Sequence, residues 1–309
     1  MRLFEHKDLL SIDQLSIADI KLILDMAESF KEISSRDIKK VPTLRGKTVV
    51  NLFYEPSTRT RSSFEIAAKR LSADTFNLSS SNSSTIKGET LIDTGRNLQA
   101  MNPDVIILRH SSTGAPHMMA KAVNYGVINA GDGINEHPTQ ALLDLFTIRE
   151  KKGRVEGLKI VIIGDISHSR VAKSNIKGLK KLGADVTVSG PPTMVPVGIE
   201  NYGINVIHNP SEAIRNKDVI MLLRIQFERQ SNVLFPSIRE YAKYFGVTRK
   251  MIELANDDAI IMHPGPINRG VELASELIDA PDSVILEQVK NGVAIRMAIL
   301  YLLIGGSSK

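Results

Sequence analysis

The stretch TVVNLFYEPSTRTRSSFEIAAKRL, residues 48–71, holds the pattern that decides the fold. Residues 48–54 are mostly apolar and predict a buried strand, and the segment STRTR then leads into a helix. The inner face of that helix is predicted from apolar residues at helical spacing, which are Phe64, Ala67, Ala68 and Leu71. A strand followed by a polar turn and a helix is the repeating unit of a parallel α/β sheet.

The same alternation runs through the rest of the chain and predicts an α/β fold with two domains, each a parallel sheet flanked by helices. Further strands are predicted at residues 104–108, 126–129, 159–164, 185–189, 218–222 and 259–262. Helices are predicted at residues 16–31, 139–151 and 284–303, and after the strand 159–164 a helix buries Ala172, Ile176 and Leu179. The serine-rich stretch 78–85 predicts a mobile surface loop.

Length and composition favour a soluble globular protein of ordinary composition. A chain of 309 residues suits two domains, and its 42% hydrophobic residues are typical of globular proteins. The absence of cysteine excludes disulfides, thiolate catalysis and cysteine-based metal sites, and fits the cytoplasm. The longest apolar run, residues 293–304, is interrupted by Arg296 and is well short of the ~20 residues that span a bilayer. No membrane association is expected.

The charge balance favours small anions over nucleic acid. The net charge is +5, but aromatic residues make up only 5% of the chain and the basic residues are scattered. Nucleic-acid binding usually comes with a basic stripe and interleaved aromatic residues. We therefore expect anionic small molecules as the ligands and no nucleic-acid partner.

The STRTR segment is the first candidate site. Ser57, Thr58, Arg59 and Thr60 bring hydroxyl and guanidinium groups to the N-terminus of a helix, where orphan N–H groups and the helix dipole favour an anion. The alternative is an ordinary Ser/Thr N-cap with solvated arginines. The arginines on either side of Thr60 make the phosphate site the better interpretation.

Three further residues in the first half are candidates for binding an anion or a carbonyl group. Arg109 ends the predicted strand 104–108, at the carboxyl edge where α/β proteins bind ligands. Lys87 lies on a glycine-bearing loop, although most loop lysines are merely solvated. His137 comes directly before a helix that begins with Pro138, a position where the helix dipole favours a neutral imidazole. A helix-capping role for His137 is equally compatible with the sequence.

The second half repeats the pattern of polar residues that follow strands. Arg170 follows the strand 159–164, Arg224 and Gln226 follow the strand 218–222, and Arg229 lies a little further on. In the turn His263-Pro264-Gly265-Pro266 the prolines supply no N–H donors, so backbone carbonyls can face a ligand's N–H groups. Together these residues predict a cleft that binds at least two anionic groups. We expect no metal site, because the histidines lack metal-ligand spacing.

These motifs resemble the aspartate and ornithine carbamoyltransferases from Leu44 to the last predicted helix. STRTR and HPTQ, in this order and spacing, are the segments most specific to the family. The resemblance implies a domain of residues 1–137 that binds carbamoyl phosphate, completed by a returning C-terminal helix at 289–309. It implies an aspartate-binding domain at residues 138–288, and no cofactor or metal.

Within the family, three segments are similar to the aspartate enzymes: Lys87-Gly88-Glu89, Leu223-Arg224-Ile225-Gln226 and His263-Pro264-Gly265-Pro266. Ornithine enzymes usually carry a cysteine in the late motif, and this chain has none. The resemblance thus implies carbamoyl transfer from carbamoyl phosphate to L-aspartate, an early step of pyrimidine biosynthesis. The alternatives are a carbamoyltransferase for another amine, such as ornithine, and a homologue that binds metabolites or serves as a scaffold without catalysis.

The resemblance also implies a role for each candidate residue. Carbamoyl phosphate is bound by Ser57, Thr58, Arg59, Thr60, Ser83, Lys87, Arg109, His137, Gln140, Pro264 and Gly265. Catalysis falls to Arg59, Thr60, Arg109 and His137, and aspartate is bound by Lys87, Arg170, Arg224 and Gln226. Glu55 pairs with Arg170 and Arg229 to hold the domains closed.

The implied assembly is a homotrimer with shared active sites, because Ser83 and Lys87 reach into a neighbouring subunit's site in this family. The resemblance leaves open whether regulatory chains or dihydroorotase associate with the trimer. The segment 227–245 resembles the Gram-positive enzymes more closely than the enterobacterial ones.

Overall fold

The computed structural model describes residues 4–79, 88–225 and 237–305. The chain divides into two compact units. The first takes in Met1–Phe146 and Lys290–Lys309, and the second takes in Thr147–Val289. Each unit contains one parallel sheet flanked by helices, which confirms the predicted fold class.

The sheet of the first unit has four parallel strands in the order β2-β1-β3-β4. Its central strands are buried on both faces, as expected of a parallel sheet covered by helices. The register places Phe53 of β1 beside Arg109 of β3, so the residues that follow these strands meet at one sheet edge. The strands are β1 (Thr48–Phe53), β2 (Asp74–Ser79), β3 (Val105–His110) and β4 (Gly126–Asp132).

Among the described residues, five helices precede, connect or follow these strands. The first begins at a capping box, in which Ser16 and Asp19 satisfy each other's backbone N–H groups, and it buries a stripe of apolar residues. The predicted inner face of the STRTR helix is confirmed, since Phe64, Ala67 and Ala68 are fully buried. The helices are α1 (Ile17–Ser35), α2 (Thr58–Arg70), α3 (Leu91–Ala100), α4 (Ala115–Ala122) and α5 (Pro138–Lys152).

The sheet of the second unit has five parallel strands in the order β7-β6-β5-β8-β9. The chain order reverses at the middle of this sheet, and α/β proteins bind ligands at such a switch point, beyond the carboxyl ends of the strands. The strands are β5 (Lys159–Ile163), β6 (Asp185–Ser189), β7 (Asn205–Val206), β8 (Val219–Leu222) and β9 (Ile260–Met262).

The helices of the second unit are mostly short. In the longest, Ala172, Ile176 and Leu179 are buried, as the sequence predicts. Two 3₁₀ turns, Pro192–Met194 and Ile199–Tyr202, lie between β6 and β7. The helices are α6 (Arg170–Lys181), α7 (Pro210–Ile214), α8 (Ile238–Phe245), α9 (Arg249–Ile252) and α10 (Ser275–Ile278).

The terminal helix α11 (Ile285–Leu300), followed by a π-helical turn at Tyr301–Gly305, packs against helices of the first unit. The rings of Phe30 and Tyr301 meet edge to face with centroids 5.7 Å apart. Arg296 donates to the Ser63 hydroxyl at 3.0 Å and lies 5.0 Å from the Phe64 ring centroid. These contacts confirm the predicted return of the C-terminal helix.

One element corrects the sequence-based expectation. The serine-rich loop was expected to begin at residue 78, but residues 78 and 79 belong to the edge strand β2, which the sequence does not predict. Pairing with β1 along Thr48–Phe53 extends β2 to Ser79, and the rest of the expected loop, residues 80–87, lies outside the described residues. In the part of the chain that the structure covers, no helix has both the length and the apolar character to span a bilayer.

Candidate active site

The N-terminus of α2 is the first part of the site. Ser57 occupies the N-cap position, but its side chain makes no capping hydrogen bond. Thr60 is largely buried, whereas Thr58 and Arg59 in the same turn are exposed. The first-turn N–H groups are therefore not satisfied by the Ser57 hydroxyl, in contrast to the capping role that the sequence left open. Such a turn, at the positive end of the helix dipole, suits a phosphate.

Arg109 is fixed at the carboxyl edge of the first sheet. Its Nη1 donates to the carbonyl oxygen of Ala130 at 3.1 Å, and its Nη2 donates to Oε1 of Glu55 at 2.8 Å. The Arg109 and Glu55 side chains are only 11% and 20% exposed, so water screens the ion pair weakly. Sheet register explains the contact, since Arg109 lies beside Phe53 and Glu55 follows two residues later.

His137 is held by the buried loop that connects β4 to α5. The carboxylate of Asp132 accepts hydrogen bonds from the backbone N–H of Gly114 at 2.8 Å and of Glu136 at 3.0 Å. The Asn129 side chain donates to the same carboxylate at 2.9 Å. His137 is 4% exposed and directly precedes the first residue of α5, as predicted. The loop therefore fixes the backbone that leads into His137 and α5.

Gln140 lies in the first turn of α5, and its amide orientation is set by a neighbour one helical turn away. Its Nε2 donates to Oδ1 of Asp144 at 3.0 Å, which leaves Oε1 as the end that accepts from a ligand N–H. Asp144 is fully buried and interacts electrostatically with Arg296 of α11. Burial lowers the pKa of Arg296 to about 10, and the Asp144 charge opposes that shift. Arg296 remains cationic at neutral pH and balances the Asp144 carboxylate.

Arg170 marks the candidate site of the second unit. It is the first residue of α6 and is 3% exposed, and the preceding Ser169 caps the helix by accepting from the Ala172 N–H at 3.1 Å. Within the same turn, His168 donates its backbone N–H to Asp165 at 3.1 Å and places its Nδ1 2.9 Å from the same carboxylate oxygen. Arg170 thus begins the helix that follows the carboxyl end of β5.

Two further loops of the second unit carry candidate residues. Arg224 is half-buried two residues after β8 ends. Pro264 and Gly265 lie in the turn that follows β9. Gly265 has φ +60, a backbone conformation that L side chains rarely adopt, so glycine suits this position. The turn is stabilised from inside by His263, whose Nδ1 accepts the Gly265 N–H at 2.8 Å.

Two family models match nearly the whole chain. The model of the aspartate/ornithine carbamoyltransferase carbamoyl-P binding domain matches residues 7–150, and the model of the Asp/Orn binding domain matches residues 156–303. The chain belongs to the aspartate/ornithine carbamoyltransferase family. The resemblance inferred from the STRTR and HPTQ segments is therefore confirmed.

Individual members of this carbamoyltransferase family differ in their sequence identity to this chain. The chain is 63% identical to the aspartate carbamoyltransferase catalytic subunit of Desulforapulum autotrophicum over 304 residues, which is 98% of this chain and 97% of the relative. A solved structure of ornithine carbamoyltransferase from Pyrococcus furiosus has a TM-score of 0.88 at 32% identity and covers 99% of both chains.

Aspartate transcarbamoylase from Trypanosoma cruzi, solved in complex with carbamoyl phosphate and aspartate, has a TM-score of 0.87 at 31% identity, covering 96% of this chain and 97% of that one. The fold is therefore equally similar to carbamoyltransferases with different acceptors, and fold alone does not select between aspartate and ornithine.

Four residues to which the carbamoyltransferase resemblance gives a role, Ser83, Lys87, Gln226 and Arg229, lie outside the described residues. The predicted pairing of Glu55 with Arg229 falls there too. Among the described residues, Glu55 pairs with Arg109. Within residues 4–79, 88–225 and 237–305, no three His, Asp or Glu side chains lie close enough together to hold a metal ion.

Sequence reasoning missed the acidic residues that support this carbamoyltransferase site. Asp144 could have been found, since it lies four residues after Gln140, on the same face of α5. Asp132 lies in a glycine-bearing turn, where acidic residues are common, so its sequence context does not indicate a supporting role. Glu272 holds the turn after β9 through His263, and nothing in their spacing indicates contact.

Proposed function

We propose that this protein is an aspartate carbamoyltransferase, which transfers the carbamoyl group of carbamoyl phosphate to the amino group of L-aspartate. The products are N-carbamoyl-L-aspartate and phosphate, an early step of de novo pyrimidine biosynthesis. The observation that carries the proposal is the 63% identity to the aspartate carbamoyltransferase catalytic subunit of Desulforapulum autotrophicum along almost the entire chain. The solved Trypanosoma cruzi enzyme, which holds carbamoyl phosphate and aspartate, supports the same substrates.

The proposal assigns carbamoyl phosphate mainly to the first unit. The phosphate lies at the first turn of α2, where Ser57, Thr58, Arg59 and Thr60 supply hydroxyl, guanidinium and backbone N–H donors. Arg109 bridges the phosphate and the carbonyl oxygen, supported by its bond to Glu55. Ser83 and Lys87 of a neighbouring subunit complete this set in the proposal.

The carbamoyl group itself is recognised at both ends. Its carbonyl oxygen accepts from Thr60, Arg109 and His137, the proposed oxyanion hole. Its NH2 group donates to Oε1 of Gln140, the amide end that Asp144 leaves for a ligand, and to the carbonyl oxygens of Pro264 and Gly265. Aspartate's two carboxylates are assigned to Arg170, Arg224, Gln226 and Lys87.

The reaction that these residues serve is an acyl transfer between two anions. The aspartate nitrogen attacks the carbamoyl carbon, the bond from that carbon to the phosphate oxygen breaks, and phosphate departs with the bonding electrons. Most of the rate enhancement comes from holding both substrates together and from stabilising the oxyanion. The amine loses a proton in this step, and we assign its acceptance to the departing phosphate.

The quaternary structure and location also belong to the proposal. A homotrimer with shared active sites follows from the family resemblance through Ser83 and Lys87. The partners under this proposal are carbamoyl phosphate and L-aspartate, with regulatory chains or dihydroorotase as further candidates. A cytoplasmic location is proposed as well, in keeping with the cysteine-free composition.

The rival function is a carbamoyltransferase for ornithine, favoured by the similarity to the Pyrococcus furiosus enzyme. The two acceptors differ in charge, since aspartate presents a second carboxylate where ornithine presents an ammonium group. A pocket that contains Arg170 and Arg224 attracts the carboxylate and repels the ammonium group. A scaffold without catalysis would have no need of the complete set of candidate residues.

Succinate is expected to inhibit the reaction competitively against aspartate, because it has aspartate's two carboxylates and lacks the amino group. Initial rates at several aspartate concentrations, with carbamoyl phosphate saturating, measure this. Butyrate, of similar length but with one carboxylate, is the matched control and is expected to inhibit far more weakly. Equal inhibition by both acids would contradict the assignment of a dicarboxylate pocket to the second unit.

A further inference from the structure

The turn after β9 is tied to a buried His–Glu pair inside the second unit. Nδ1 of His263 accepts the backbone N–H of Gly265 at 2.8 Å, so this ring nitrogen carries no hydrogen. The hydrogen of the neutral ring is therefore on Nε2, which donates to Oε1 of Glu272 at 3.2 Å. The two side chains are 0% and 1% exposed. These two hydrogen bonds together set the tautomer of His263.

The same carboxylate oxygen also holds the far end of the turn. Oε1 of Glu272 accepts the backbone N–H of Asn268 at 2.7 Å. The backbone N–H of His263 donates to the Gln288 side chain at 2.9 Å, which anchors the near end. The segment 263–268 is therefore anchored at one end by Gln288 and at the other by Glu272. Pro264 and Gly265 lie between these two anchors.

Glu272 is itself held rigidly, so it can act as a fixed reference for the turn. Its carbonyl oxygen accepts the backbone N–H of Val247 at 3.1 Å, and the Val247 carbonyl accepts the Ala274 N–H at 2.9 Å. Val247 and Leu273 belong to the apolar core that packs against the second sheet. The backbone from which the Glu272 carboxylate extends is thus anchored to core residues.

As a contribution to stability alone, this arrangement is poor. A buried carboxylate carries a large desolvation cost, which its hydrogen bonds rarely exceed. Oε2 of Glu272 is buried and has no hydrogen-bond partner among the residues that the structure describes. A well-packed apolar residue would cost less at such a position. Among those residues, only Oε1 of the Glu272 carboxylate accepts hydrogen bonds, and both come from the turn after β9. The presence of a carboxylate here is therefore better explained by the geometry of that turn than by stability.

We propose that Glu272, acting through His263, is a positioning residue that directs the carbonyl oxygens of Pro264 and Gly265 toward the NH2 group of the carbamoyl substrate. The inference rests on the proposed function, since it assigns those carbonyls to carbamoyl phosphate. Glu272 touches neither substrate. Its contribution is to hold the acceptors where the carbamoyl nitrogen needs them, with little reorganisation during the reaction.

The test is steady-state kinetics of Glu272→Ala and Glu272→Gln in the full chain. Glu272→Ala removes both hydrogen bonds to the turn and is expected to lower kcat/KM for carbamoyl phosphate by about 10- to 100-fold. Glu272→Gln keeps an oxygen at Oε1 and is expected to stay within about 3-fold of the wild type. Aspartate KM at saturating carbamoyl phosphate should change less than carbamoyl phosphate KM in both variants.

A second variant keeps the test informative if Glu272→Ala does not fold. His263→Phe removes the two side-chain bonds of His263, to the Gly265 N–H and to Glu272, and fills the buried ring position. It is expected to show a similar loss for carbamoyl phosphate. Lys217→Leu is the matched control, because Lys217 is another buried charge of this unit that donates to Thr187 at 2.7 Å. It lies before β8, at the opposite end of the sheet from the turn after β9. It should change Tm while leaving both KM values as in wild type.

Two results would overturn the inference. One is a Glu272→Ala or His263→Phe enzyme with lowered Tm and wild-type kcat/KM for carbamoyl phosphate, which would make the pair purely structural. The other is a Glu272→Gln enzyme as impaired as Glu272→Ala, which would mean that charge and not hydrogen bonding matters. Failure of the proposed function is distinguishable, because then the wild-type chain itself would not carbamoylate aspartate.

Discussion

Arg59→Ala is expected to lower kcat/KM for carbamoyl phosphate by about 1000-fold. Arg59 is an exposed residue of the first turn of α2, where the N-cap hydroxyl of Ser57 makes no capping bond. Under the proposed function it supplies a charged, bidentate clamp for the phosphate. Removing it leaves the helix dipole and backbone N–H groups, which bind a phosphate more weakly than an arginine in the same turn does.

Kinetics of the purified variant measure this effect, and Arg36→Ala is the control. Arg36 is also an exposed arginine of the first unit, paired with Glu32 of α1 at 2.8 Å. Surface ion pairs of this kind contribute little, so Arg36→Ala should leave kcat/KM unchanged. A loss below about 10-fold in Arg59→Ala, with the fold intact, would contradict the phosphate assignment.

The same variant tests whether active sites are shared between subunits. Lys87→Ala is expected to be nearly inactive alone, because under the proposal Lys87 completes a neighbour's site. When Arg59→Ala and Lys87→Ala chains are dissociated and mixed, some interfaces combine the intact Arg59 of one chain with the intact Lys87 of another. Activity should then return in the hybrids. Demonstrably mixed trimers without recovered activity would argue that each site belongs to one chain.

Arg109→Ala is expected to lower kcat by about 100- to 1000-fold, because it removes a donor of the proposed oxyanion hole. The loss is enlarged by the partner left behind, since the Glu55 carboxylate would stay partly buried without its guanidinium. Arg109→Lys should restore little of it. A lysine cannot reach the Ala130 carbonyl, Glu55 and a substrate with the planar fork that arginine has.

Glu55→Ala separates two roles of that carboxylate. The bond to Arg109 means that its loss should weaken the use of carbamoyl phosphate. The domain-closing role implied by the resemblance predicts that the loss falls on aspartate instead. Measuring kcat/KM for each substrate decides between the two, and unchanged values for both would exclude either role for Glu55.

For the preceding prediction, a fully active Arg109→Ala enzyme would contradict the assignment of Arg109 to the oxyanion hole.

The fold could be predicted well where the sequence pattern is strong. The unit of β1 and α2 follows from the apolar run at residues 48–54 and the helical spacing of Phe64, Ala67 and Leu71. The edge strand β2, sequence DTFNLS, could not be predicted, because it mixes polar and apolar residues and leaves Phe76 exposed. Its strand character comes from pairing with β1. Helices α9 and α10 are too short to show a period.

The candidate site could be predicted in its outline and not in its internal bonds. Arg109 ends an apolar run, and Arg170 follows another after a short polar turn, so both charges are visible in the sequence. The pairing of Arg109 with Glu55 depends on the register of β1 and β3, which a single sequence does not give. The contact of His263 with Glu272 depends on how an irregular turn folds back on itself.

The central claim is that this chain carbamoylates aspartate, and one measurement tests it most directly. The purified chain is incubated with carbamoyl phosphate and, separately, with L-aspartate, L-ornithine and putrescine, and the carbamoylated products are identified and quantified by mass. We expect N-carbamoyl-L-aspartate with equimolar phosphate. The kcat/KM for aspartate should be at least about 1000-fold above that for ornithine or putrescine, as for other sites that hydrogen-bond the polar groups of one substrate. Preferred carbamoylation of ornithine, or no carbamoylation of aspartate by the folded chain, would contradict the account.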